Sequence, residues 1–306
     1  MVIQLPRTPR RERDASAALR HLWGIVIVGG TDDRRPPAHY TAGRMRRLRP
    51  EMKLAAREQA LVRTLERATR LIPAERIVTV LERAEVARHA ADLAEFGDVR
   101  VVIQPAWRGN AAQIFLPALR VLREDPHATI VVLPHEQLLD QDARILHYLA
   151  QAARAVEIRP DVPVVIGSPP RGPDASQAWI EPGEHVEGLE AYAIRSVERF
   201  IGAPSAREAA SLYDGNGLYS TLVVIAKAKT LIALGRTHLP DVLETLEPLE
   251  DVFGGPEERL LCDAVYECMP VANITAGILE RARQLAVLPL PSVVWREDAM
   301  RLALAS

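Results

Sequence analysis

Short apolar runs alternate along this chain with stretches of helical period, and that alternation constrains its fold more than any other feature. Trp23–Val28 (WGIVIV), Arg76–Leu81 (RIVTVL), Val99–Gln104, Thr129–Leu133 (TIVVL) and Val162–Gly167 (VPVVIG) read as strands. Ala56–Leu71, Glu82–Glu95, Ala111–Glu124 and Asp140–Val156 read as the helices between them. Runs of Val and Ile suit strands buried on both faces, and intervening helices supply the crossovers that parallel neighbours require. The expected fold is α/β: a Rossmann-like mixed, mainly parallel sheet with helices on both faces and a mostly helical C-terminal extension.

After Gly167 the pattern changes. SPPRGPDAS reads as a turn-rich loop, Gln177–Glu181 and Ala191–Phe200 as extended, Ser205–Tyr213 as a short helix, and Gly217–Ala226 (GLYSTLVVIA) as a further strand. The rest reads as helical as far as Arg283, then strand-like near Leu285–Trp295. The expected organisation is a mobile basic tail over 1–20, an α/β domain over 21–235, and a helical extension over 236–306 that closes on the same domain.

Composition narrows the function classes. A net charge of −2, with 5% aromatics not interleaved among the arginines, argues against a nucleic-acid partner. The two cysteines, Cys262 and Cys268, offer no CxxC or Cys/His ligand spacing, so a reducing, cytoplasmic setting is expected. No apolar run reaches the roughly 18 residues of a membrane span, and the arginine-rich N-terminus lacks the apolar stretch of a signal segment. Among 38 basic residues only Lys53, Lys227 and Lys229 are lysines, which leaves few candidates for chemistry that needs a compact ammonium.

The loops at the carboxyl ends of the strands carry the candidate chemistry. Val28-Gly29-Gly30-Thr31 leaves the first strand, where glycine lets a phosphate approach main-chain N–H groups; a plain tight turn fits the same residues. Arg34, Arg35, Arg44, Arg46, Arg47, Arg49, Lys53 and Arg57 crowd the loop beyond, either to draw in phosphate or as a solvated basic face. GGTDDR lacks the third glycine of a dehydrogenase fingerprint. Gln104 ends the third strand, and Arg108-Gly109-Asn110 precedes a helix whose N-terminus suits an anion or a polar base. Asn110 serves equally as a helix N-cap. Leu133-Pro134-His135-Glu136 ends the fourth strand, where a carboxylate suits Mg²⁺, although exposed loop residues are an equal reading of His135 and Glu136.

Taken in order, these segments resemble the sugar-1-phosphate nucleotidyltransferases, in particular the bacterial mannose-1-phosphate guanylyltransferases. QPAWRGNAAQIFLPALRVLREDPHATIVVLP follows a family pattern of QPxxRGTA, helix, then VLLPSDH; VVIGSPPRGPDASQAWIEPG is similar to GIxPxxPxxxxGYI. VERFIGAP parallels VxxFVEKP, and GNGLYSTLVVIAKAKTLIAL parallels GxLWNSGIFxxxxxxLL. The resemblance implies transfer of a nucleotidyl group from a nucleoside triphosphate to a sugar-1-phosphate, with pyrophosphate released and Mg²⁺ as cofactor. It implies Arg34 and Lys53 as catalytic cations, Gly29, Gly30, Gln104, Arg108, Gly109 and Asn110 at the nucleotide, Gly167 and Ser220 at the sugar phosphate, and Glu136, Glu297 and Asp298 at the metal.

Departures fall at sensitive places. Asp32 stands where the family loop has glycine, Pro50-Glu51-Met52 displaces its lysine, Gly202-Ala203-Pro204 replaces EKP, and Ser220 replaces asparagine. A catalytically inactive homologue is therefore the alternative expectation, acting as a nucleotide-binding, regulatory or protein-interaction module. Partnership as a homo-oligomer or with an active relative stays open.

Overall fold

The computed structural model describes residues 19–29, 60–135 and 142–291. The strands are β1 (Leu22–Ile27), β2 (Ile77–Glu82), β3 (Arg100–Gln104), β4 (Thr129–Pro134), β5 (Val164–Ser168), β6 (Trp179–His185), β7 (Arg195–Ile201), β8 (Leu218–Lys227) and β9 (Ala286–Pro289). The helices are α1 (Ala60–Thr69), α2 (Val86–Glu95), α3 (Asn110–Glu124), α4 (Asp142–Ile158), α5 (Ala206–Asp214), α6 (Ala228–His238), α7 (Pro240–Leu246) and α8 (Glu258–Cys268). Nearly every expected element is present within a few residues of its expected bounds. The expected helix starting at Ala56 and the strand running to Trp295 extend beyond the described residues.

All nine strands form one sheet in the order β3-β2-β1-β4-β8-β5-β9-β7-β6. Its first half behaves as the apolar runs foretell: β1 is parallel to β2 and to β4, β2 is parallel to β3, and all six residues of β1 are buried. The second half corrects the expectation of a mainly parallel sheet. β8 enters antiparallel between β4 and β5, and β7 runs antiparallel to β6 and β9. β6 also pairs with β8, so the pairings β8–β5–β9–β7–β6 return to β8 and close a ring. Strand direction is set by whether the connecting chain crosses the sheet or turns back, and periodicity does not encode that.

Side chains alternate across the sheet and build two apolar layers. One contains Ile25, Val80, Val132 and Val224 against α3, α6, α7 and α8. The other contains Val26, Val131, Val223 and Ile225 against α1 and α4. Leu231, Leu243, Leu246 and Tyr266, from beyond β8, belong to the first layer, so the C-terminal helices share the core of the sheet.

Candidate functional site

The carboxyl ends of β1, β2 and β3 form one rim, where open α/β sheets bind ligands. Glu82 and Gln104 are Cα partners in adjacent parallel strands there, which puts their side chains on the same face. α3 seats itself on this rim: the buried Gln113 amide donates to the Val28 carbonyl at 3.3 Å. Gly29 follows with φ 75, a backbone that favours glycine, and Glu85 lays its carboxylate where a Cβ would stand.

Several buried polar atoms at the rim and near it have no partner among the described residues. Gln104 is fully buried, yet neither its Oε1 nor its Nε2 is hydrogen-bonded. The Tyr266 hydroxyl on α8, the Trp107 indole N–H and the Glu85 Oε2 are buried and equally unpartnered. Each such group costs on the order of 1–3 kcal/mol unless something satisfies it. Burial, and then the neighbouring Glu85, push the Glu82 carboxyl above its ordinary range. Burial first, then Cys262 and Glu82, push the Tyr266 phenol up. Gln104 thus offers a donor and an acceptor without a partner among the described residues, on the face it shares with the Glu82 carboxyl, near which the Tyr266 phenol and Glu85 stand.

The segment expected to present free donors to a nucleotide is engaged elsewhere. Arg108 Nε donates to the Tyr266 carbonyl at 2.6 Å and its Nη2 to the Glu267 carbonyl at 3.3 Å, at the negative end of α8. Gly109, not Asn110, is the N-cap of α3; it adopts φ 84 and ψ 167, and an added Cβ would strike the Ala272 carbonyl. Asn110 is the first helical residue: its main-chain N–H donates to Asn273 Oδ1 at 3.2 Å, and its Oδ1 accepts from Ile274 N at 2.7 Å. Main-chain bonds from Ala272 N to Arg108 O and from Ala111 N to Ala272 O complete the clasp. Sequence spacing gave no sign of a partner so far along the chain.

The sugar-phosphate candidates do come together. Gly167 and Ser220 are Cα partners at a bulge between β5 and β8. Leu218 and Val287 crowd the Cα of Gly167, so any side chain there would have to displace them. Ser220 Oγ accepts from Leu222 N at 3.1 Å, and Leu222 carries φ 57. In the pattern GxLWNSGIF this position falls on glycine, which takes that backbone without strain; here a leucine bears it. Ser168, fully buried with an unpartnered hydroxyl, is a neighbour that sequence reasoning missed. Beyond the substituted EKP, Gly202 N donates to Glu280 Oε1 at 2.6 Å, and Ser205 and Glu208 form a reciprocal capping box that starts α5.

His135 corrects the reading of an exposed loop: it is buried, and its Nδ1 lies 3.1 Å from the Ile27 carbonyl. His89 on α2 stands edge-on to it, ring centres 6.5 Å apart. Gly30, Arg34, Lys53, Glu136, Glu297 and Asp298 lie outside the described residues. Among the described residues no group of three His, Cys, Asp or Glu side chains is placed to hold a metal ion, and no helix is long and apolar enough to cross a membrane.

No protein-family model matches the chain. It is 24% identical over 200 residues to the alginate biosynthesis protein AlgA of Pseudomonas fluorescens, covering 65% of this chain and 40% of that protein. It is 20% identical over 219 residues to a mannose-1-phosphate guanylyltransferase of Escherichia coli, covering 70% and 46%. The chain thus spans less than half the length of these curated relatives. Among solved structures, a mannose-1-phosphate geranyltransferase from Thermus thermophilus superposes with a TM-score of 0.70 at 24% identity, covering 88% of this chain and 74% of that one. A mannose-6-phosphate isomerase from Helicobacter pylori gives 0.65 at 14% identity, covering 88% and 97%. At such identities the structural likeness speaks for the fold. The chain is thus similar in sequence to the alginate biosynthesis protein AlgA and to a mannose-1-phosphate guanylyltransferase, and similar in fold to the Thermus thermophilus structure.

Proposed function

We propose that the chain binds a nucleoside triphosphate at the β1–β3 rim and transfers its nucleotidyl group to a sugar-1-phosphate. A phosphate oxygen of the sugar-1-phosphate attacks the α-phosphorus, the bond from that phosphorus to the bridging α–β oxygen breaks, and pyrophosphate leaves with the electron pair. The observation that carries this reading is Gln104: a fully buried amide with both polar atoms unpartnered, at the ligand-binding edge of the sheet. A nucleobase edge presents the matching acceptor and donor. Gly29 and Gly30 are assigned to the phosphates, Arg34 and Lys53 to the charge on the triphosphate, and Gly167 and Ser220 to the sugar phosphate. Glu136, Glu297 and Asp298 are the carboxylates assigned to Mg²⁺, which would neutralise phosphate charge; the role given to Gln104 does not depend on the ion.

Purified protein is incubated with Mg²⁺, each nucleoside triphosphate in turn, and mannose-1-phosphate or glucose-1-phosphate. Pyrophosphate release that requires both substrates supports transfer; none with any pair sinks it for those substrates. A second reading, nucleotide binding without turnover, rests on the replacements at Asp32, Pro50-Glu51-Met52 and Gly202-Ala203. Calorimetric binding with no pyrophosphate released would select it.

A further inference from the structure

The sheet ends at β3, whose open edge runs from Arg100 and meets the polar rim only at its last residue, Gln104. Among the described strands β3 pairs only with β2, and an open edge of N–H and C=O groups is a template for another strand. Proteins usually blunt such edges with lysine, proline or a covering loop. Among the described residues β3 carries no lysine or proline, and Val101 and Ile103, two residues apart and so on one face of the strand, are 42% and 45% exposed. A groove of about 810 Å³ runs beside them, walled by Val86 of α2, Leu116 and Arg120 of α3, and Arg259 and Cys262 of α8. Its lining carries a net positive charge. Arg83, Arg120 and Arg259 line it against one carboxylate, Glu258, which Arg120 already engages. Arg83 is held by Asp263, whereas Arg259 forms no ion pair among the described residues.

We infer that this edge is a docking site for an extended acidic peptide segment of a partner protein, which adds to β3 as one more strand. Main-chain hydrogen bonds to β3 hold the segment, alternate apolar side chains cover Val101 and Ile103, and a carboxylate meets Arg259. A peptide fits better than a second copy of the chain. A copy would bring a second Arg259 to the groove, while an acidic segment neutralises the one already there.

The test uses the full chain and two fluorescein-labelled synthetic peptides of alternating valine and threonine, one ending in two glutamates and one in two lysines. The glutamate peptide is expected to give saturable anisotropy, at least about tenfold tighter than the lysine peptide. Ile103→Lys is expected to weaken it about tenfold or more, and Arg259→Glu to invert the preference between the peptides. Both sites are at the surface, and matching melting curves establish that the variants fold. Hydrogen exchange over 100–104 slows when the glutamate peptide binds. Absence of saturable binding, or binding indifferent to Ile103→Lys and Arg259→Glu, overturns the inference. So does a concentration-dependent dimer in sedimentation that Ile103→Lys abolishes, which would assign the edge to a second copy.

Discussion

Glu82 and Gln104 stand side by side at the ends of β2 and β3, one a half-buried carboxyl pushed above its ordinary range, the other a fully buried amide with nothing to bond. The proposed nucleotide would supply the partner that Gln104 lacks among the described residues.

Gln104→Leu separates the two. The change removes two unpartnered polar atoms and keeps most of the volume, so the unliganded protein should hold its stability or gain about 1 kcal/mol. Nucleotide affinity should fall about 10- to 100-fold. Urea denaturation and calorimetry read the two effects; a large loss of stability with unchanged affinity would refute the role of Gln104.

Glu82 predicts a pH signature. Its folded pKa is raised above 4.5, by burial first and Glu85 second, so the folded state binds its proton more tightly than the unfolded state does. Its contribution is therefore full below the unfolded value and is lost as pH rises through the folded one. Glu82→Gln should flatten stability over that window and make the protein more stable than wild type at pH 7, with little difference below 4.5. Paired denaturation curves across pH test the sign.

Gly109→Ala should damage the clasp between the α3 N-terminus and the C-terminal segment. At φ 84 and ψ 167 the backbone is open essentially to glycine alone, and a methyl group meets the Ala272 carbonyl. A loss of about 1–3 kcal/mol is expected, more if Ala272 cannot retreat. Chemical denaturation measures it; a neutral result would mean that the strap at 272–274 yields freely.

Cys262 and Cys268 should differ sharply toward iodoacetamide. Burial, and then the nearby Asp263 and Glu258, push the Cys262 thiol up to about 11, whereas Cys268 is exposed. At pH 8 the shift from 9.0 cuts the Cys262 thiolate fraction by roughly 100-fold. Peptide mapping during alkylation should find Cys268 modified first. Equal rates would show that α8 opens readily.

What the chain announces by itself is local. The Val/Ile runs and the helical stretches between them located the strands and helices, because side-chain periodicity and turn chemistry act over a few residues. The order of the QPAWRGNA, VVIGSPP, VERFIGAP and GLYSTLVV segments announced the relationship as well. Tertiary structure decided the rest. It set β8 antiparallel at the centre of the sheet, brought Tyr266 to the rim beside Glu82, and turned Arg108 and Asn110 toward 266–274. Those outcomes depend on which distant surfaces bury one another and satisfy one another's hydrogen bonds, and no local window of sequence contains both partners.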